Sequence, residues 1–155
     1  MTRTDKIIKS EIHAKDKKPK AELSYLENDG YPNWRFSLFD HDGPFNFKSC
    51  RNDDIIIIMK KLAEFEKMKW QKIKEQTHDK SGSSHYIKPN AFNAKALKRW
   101  KELCSNNQKY EEFEDHIFSI RLLSNMNRII GILTGSIFYI IWYDPNHAVA
   151  KINAK

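Results

Sequence analysis

Cysteine is scarce in this chain. Cys50 and Cys104 are the only two, they stand far apart, and neither belongs to a CxxC pair. That excludes a disulfide framework and a cysteine-based zinc knuckle. Five glycines and five prolines in 155 residues are too few for a collagen-like or linker-like chain. Walker A, G-x-G-x-x-G and G-x-S-x-G sequences are all missing, so the usual phosphate cradles and the serine-hydrolase elbow are not encoded. No long hydrophobic run occurs either. The longest uncharged stretch, Ile129 to Tyr143, is broken by Gly131, Thr134, Gly135 and Ser136, whereas a bilayer-spanning helix needs about 20 apolar residues. The first 20 residues carry charges throughout and lack the apolar core of a signal peptide. The expectation is a cytoplasmic, reduced protein without a membrane partner.

Charge is what the chain has in excess. Lys and Arg number 27 against 20 Asp and Glu, a formal balance of +7. An acidic calcium buffer or solvating tail is thereby excluded, but a basic balance alone does not establish nucleic-acid binding. The excess is also uneven: residues 1–20 hold seven basic and three acidic side chains, +4, which leaves +3 for residues 21–155. The chain therefore divides into a basic arm, residues 1–20, and a single domain, residues 21–155. A domain of this size buries roughly 68–70% of its unfolded surface and folds without staples.

Hydrophobic periodicity outlines that domain. Leu23, Tyr25 and Leu26 suggest a strand and Asn28-Asp29-Gly30 a turn. Trp34, Phe36 and Leu38 alternate as a second strand, Asp40-His41-Asp42-Gly43-Pro44 turns, and Phe45-Asn46-Phe47 begins a third. From Asp53 to Gln76, capped by Asn52 or Asp53, Ile55, Ile58, Met59, Leu62, Phe65, Trp70 and Ile73 share one helical face. Glu66 and Lys69 interrupt it, either as an i,i+3 pair or with Glu66 entering a cleft. Residues 77–84 read as a loop, and a shorter helix to about Cys104 buries Leu97, Trp100, Leu103 and Cys104. The last third is β: Phe113 to Leu123, Met126 to Leu133 and Ile137 to Tyr143 form a three-stranded antiparallel meander, with a short final strand at Ala148 to Ile152. The fold class is α+β, an antiparallel sheet of N-terminal hairpins plus the C-terminal meander, packed on one face by two helices.

Chemistry concentrates at the end of the chain. Arg121 and Arg128 fall on adjacent strands, and His147 follows the third strand just past Asp144-Pro145-Asn146, beside Tyr143. Guanidinium forks match the oxygens of a phosphodiester and stabilise the charge of its transition state. An imidazole can hand a proton to a departing 5′-oxygen near neutral pH. The base that would activate a ribose 2′-hydroxyl is sought among Glu66, Glu112 and Glu114. The competing structural reading pairs Arg121 and Arg128 with Glu112, Glu114 or Asp115 and leaves His147 to close a turn. Lys95, Lys98 and Arg99 on the second helix would contact substrate or nucleic acid. His78 and His85 lack the companions a zinc site needs, and no metal or cofactor is expected.

The stretch from Phe118 to Gly131, followed by Ile137 to His147, is similar to a group of small bacterial and mobile-element proteins ending in R-x-x-G…F-Y-x-x-W-x-D-P-x-H. More distantly it resembles the C-terminal sheet of RelE/ParE-type toxins. That resemblance, over about 35 residues, implies a toxin-antitoxin ribonuclease acting on RNA at the ribosome with a small acidic antitoxin as partner. It also implies that Arg121, Arg128, Tyr143 and His147 carry the reaction. The chain departs from such toxins in its β-rich start. The alternative is a non-catalytic nucleic-acid- or protein-binding regulatory module of a mobile element.

Overall fold

The computed structural model describes residues 30–76, 84–123 and 127–150. The basic arm, the strand at Leu23 to Leu26, most of the 77–84 loop, the Ser124-Asn125 turn and the end of the expected final strand lie outside the described residues. Five strands form one sheet: β1 (Asn33–Arg35), β2 (His85–Tyr86), β3 (Ile117–Arg121), β4 (Arg128–Thr134) and β5 (Ile137–Asp144), in the order β1-β5-β4-β3-β2. Among the described residues the α-helices are α1 (Asn52–Phe65), α2 (Trp70–Gln76), α3 (Ala94–Asn106) and the one-turn α4 (Gln108–Glu112). The fold is α+β, and β3, β4 and β5 form the expected antiparallel meander.

Its layering differs from the expectation. β3 to β5 are apolar almost without interruption because both faces of the sheet are covered. On one face, Ile58, Leu62 and Phe65 of α1 and Trp70 and Ile73 of α2 pack against Phe118, Ile120, Ile129, Leu133 and Phe138. On the other, Ala96, Trp100 and Leu103 of α3 and Tyr110 of α4 pack against Ile117, Ile130, Ile132 and Trp142.

The N-terminal hairpins are replaced by something else. Trp34 lies on an edge strand parallel to β5, its indole N–H donating to the Leu62 carbonyl at 3.2 Å and its ring packed on Trp70 and Phe138. Phe45 and Phe47 form no strand; they clip the end of β5 from its two sides, Phe45 against Trp142 and Phe47 stacked on Tyr143 at 4.8 Å. Their period of two records that clip. The long helix is two helices, because the Trp70 backbone N–H donates to the Gly30 carbonyl and its indole N–H to the Ser136 carbonyl, which turns the chain. Glu66 and Lys69 mark this break and are exposed there, as is Met59, which the periodicity placed inward. The cap also differs: the Arg51 backbone N–H donates to the Asp54 carboxylate at 3.3 Å.

One irregularity matters for the site. Ile132 pairs with Tyr139 and Gly131 with Ile140, but Ile130 pairs with Trp142, so Ile141 is an extra residue, a β-bulge. Gly131 sits at this step, where a Cβ would run into the Tyr139 carbonyl and the Phe138 ring.

Candidate functional site

Directly opposed residues of antiparallel strands point to one face of a sheet, with Cβ atoms about 5 Å apart. Arg121 of β3 opposes Arg128 of β4, and Arg128 opposes Asp144 of β5. All three share the face that carries Trp142 and α3. Beyond β5 the chain folds back around the Asp144 carboxylate. One oxygen accepts the N–H groups of Asn146 (3.4 Å) and Ala148 (2.9 Å), the other that of Val149 (2.9 Å). The loop is tied outward as well: the Asn93 N–H donates to the Val149 carbonyl at 2.7 Å just ahead of α3, and Phe92 bridges Ala150. Within this loop His147 has a left-handed backbone, φ 52°, a conformation that histidine tolerates better than branched residues do. Arg121, Arg128, Asp144 and His147 thus meet at one end of one sheet face.

The electrostatics are unequal. Arg128 is buried to 1% exposure, and burial, reinforced by the neighbouring positive charge of Arg121, pulls its pKa down while Asp144 opposes the shift. Arg121 is half-buried and is the guanidinium nearer solvent. The His147 imidazole titrates below its ordinary 6.5 because of burial first and Arg128 second; Asp144 pulls the other way and His85 adds to the lowering. His147 is consequently neutral at pH 7. Asp144→Asn removes the charge that opposes these effects and weakens the acceptors of the loop. The expected result is a further drop in the His147 pKa, followed by imidazole NMR titration, and a loss of about 2 kcal/mol in chemical denaturation.

The remaining expected site residues are elsewhere. Tyr143 points to the opposite face, in the core with α1, stacked on Phe47; burial, foremost, raises its phenol pKa. The bulge causes this, because it puts Asp144 and not Tyr143 beside Arg128. Arg99 does not point away from the fold. Its fork holds the Asp40 carboxylate, with Nε donating to Oδ2 at 2.8 Å, while the Trp142 indole N–H donates to the same oxygen at 2.9 Å. Lys95 and Lys98 are exposed on α3, and Lys95 also lies over the Phe45 ring. None of the three carboxylates sought as a base is placed at the site. Glu66 is exposed in the α1–α2 link on the other side of the sheet. Glu112 and Glu114, with Asp115, precede β3, whose five residues separate them from Arg121 by about 16 Å.

His85 is the residue that sequence reasoning passed over. It lies on β2 opposite Ser119, and Ser119 shares its face with Arg121. The Arg121 backbone N–H donates to Ser84 Oγ at 3.0 Å, which ties the start of β2 to the site. A two-residue strand after a Gly-Ser loop leaves no periodicity to read. A cavity of about 300 Å³ between α3 and α4, lined by Leu97, Trp100, Cys104 and Glu111, includes none of these groups. Among the described residues no group of three or more His, Cys, Asp or Glu is arranged to hold a metal ion. Nor is any helix among them long and apolar enough to cross a membrane. Comparison with known proteins returns no match: no family model, no curated protein and no solved structure.

Proposed function

We propose that the protein is a toxin-like, metal-independent ribonuclease that cleaves RNA at the Arg121–Arg128–His147 end of the sheet. The observation that carries this reading is the direct opposition of two arginines on one face, with a histidine loop folded over the same end. Two guanidiniums on neighbouring strands set up a positive field at this end of the sheet, which favours an anion such as a phosphodiester over a neutral ligand. Arg121, nearer solvent, would hold the non-bridging oxygens, and Arg128 beneath it would supply positive field without touching the substrate. His147, neutral at pH 7 through burial and the field of Arg128, suits removal of the 2′-hydroxyl proton better than the acid role expected for it. The 2′-oxygen then attacks phosphorus and the 5′-oxygen leaves, giving a 2′,3′-cyclic phosphate end. The test is cleavage of a defined RNA, alone and on ribosomes, with and without EDTA. Cleavage that persists in EDTA and is lost in Arg121→Ala is the expected outcome; EDTA-sensitive cleavage, or cleavage indifferent to Arg121, overturns it.

The exposed pair Lys95 and Lys98 favours a second reading, a non-catalytic nucleic-acid-binding module of a mobile element. It predicts binding without cleavage and an affinity that falls steeply with salt. Replacing both lysines with glutamine is then expected to flatten the log–log salt dependence by about 1.4 on single-stranded RNA. A slope that does not change removes α3 from the interface.

A further inference from the structure

A cleavage site of this kind needs two proton transfers, and one imidazole has been assigned. We infer that His85 is the second catalytic residue, the acid that protonates the departing 5′-oxygen. This rests on the ribonuclease reading above and adds the residue that it lacks.

The strand pairing supports the assignment. β2 runs antiparallel to β3, and His85 opposes Ser119, so its side chain rises on the face shared by Arg121, Arg128 and Asp144. Tyr86, the next residue, falls on the other face, where its ring meets Phe118 at 4.9 Å. His85 is exposed and His147 half-buried. The Arg121 N–H to Ser84 Oγ bond holds the start of β2 against the end of β3. β2 is the strand next to Arg121 in the sheet, and the Asp144 loop folds back over the same face, where it is tied to Phe92 and Asn93 and His147 comes close enough to His85 to feel its charge. In-line displacement places the attacking and leaving oxygens on opposite sides of phosphorus, so a phosphate held by the arginines needs two proton-transfer groups, and this face carries two imidazoles.

Among the described residues, the charged groups beside His147 are Arg128 from β4 and Asp144 from β5, and Arg121 from β3 stands next to Arg128. The half-buried histidine beside Arg128 is neutral and accepts the 2′-hydroxyl proton. The solvent-exposed one supplies the proton, which passes to the 5′-oxygen as the P–O5′ bond breaks and the P–O2′ bond forms. No electrons change oxidation state, and the leaving fragment is a 5′-hydroxyl RNA.

The experiment compares ordinary RNA with RNA bearing a bridging 5′-sulfur at the cleaved bond. A thiolate leaves without protonation, so loss of a general acid is masked on the sulfur substrate and loss of a base is not. His85→Ala is expected to lose about 10²-fold or more on ordinary RNA and to return to within about tenfold of the unaltered protein on the sulfur substrate. His147→Ala is expected to lose activity on both. Because His85 is exposed on an edge strand, its variant should fold, and circular dichroism checks this. His85→Ala cleaving ordinary RNA at the unaltered rate, or losing equally on both substrates, overturns the role of His85 and leaves the ribonuclease standing. No cleavage of either substrate by the unaltered protein overturns both.

Discussion

His147→Ala is expected to lower RNA cleavage by about 10²–10⁴-fold, the usual contribution of a positioned proton-transfer group, while the fold survives. The loop is shaped by the Asp144 carboxylate and by the Asn93 link to Val149, and the imidazole is not among those ties. Alanine must still adopt the left-handed backbone at φ 52°, at a cost of about 1–2 kcal/mol. The pH dependence carries a definite sign. Burial, and then Arg128, hold the His147 pKa below 6.5. As a base it is therefore competent throughout the neutral range, and the acid limb of the rate profile follows its lowered pKa. The same shift affects stability: above pH 6.5 both folded and unfolded imidazoles are neutral, and below it the unfolded chain takes up the proton more readily, so stability declines on acidification. Single-turnover rates across the range from about pH 5 to pH 8 measure the first effect. An unchanged acid limb in His147→Ala would remove His147 from the chemistry.

The second large effect concerns Asp40, which is 3% exposed. Its carboxylate accepts from Arg99 and from the Trp142 indole and lies under α3. Asp40→Ala takes the acceptor from the Trp142 indole N–H and leaves the Arg99 guanidinium with Glu102 alone, a change expected to cost about 3 kcal/mol. Urea denaturation reads it directly, and Asp40→Ala combined with Arg99→Met should recover part of the loss. Burial by itself would raise the Asp40 pKa, but the bonds from Arg99 and Trp142 outweigh it and the net shift is downward from 3.8. A depressed carboxylate stabilises the fold above its unfolded pKa and loses that contribution as pH falls through the folded value. The protein should therefore weaken in acid below about pH 4, and Asp40→Asn should lack that component. A cost under about 1 kcal/mol for Asp40→Ala would show that the Arg99 bridge is merely a surface pair.

The meander was legible because β3, β4 and β5 are apolar, β-branched and aromatic segments of strand length, and the turns between them are short and polar. Arg121 and Arg128 were legible as neighbours for the same reason, since adjacent strands of a meander must pair. The two-sided burial of the sheet had a visible trace in Ile129-Ile130 and in Ile140-Ile141-Trp142, apolar runs that a half-solvated strand would not carry. What alternation could not show is long-range. Trp34 joins β5 across more than 100 residues, and Phe45 and Phe47 mimic a strand because they grip the two sides of one. The hydrogen bonds of Trp70 that end α1 early depend on Gly30 and Ser136, partners remote in sequence. Tyr143 is counted with the arginines for its place beside His147 and through the resemblance, and neither of these registers the bulge at Ile141.

The extra residue at Ile141 acts as a phase shift along β5. Continued from Tyr139 without it, the pairing would set Tyr143 opposite Arg128 and send Trp142 into the opposite core, away from Asp40. One inserted residue therefore exchanges a phenol for a carboxylate next to the most deeply buried positive charge of the sheet, and in the same step moves the indole that anchors Asp40. The chemical identity of the site and the attachment of α3 are thus written in a single frame. A lineage that lost this residue would have to rebuild both together.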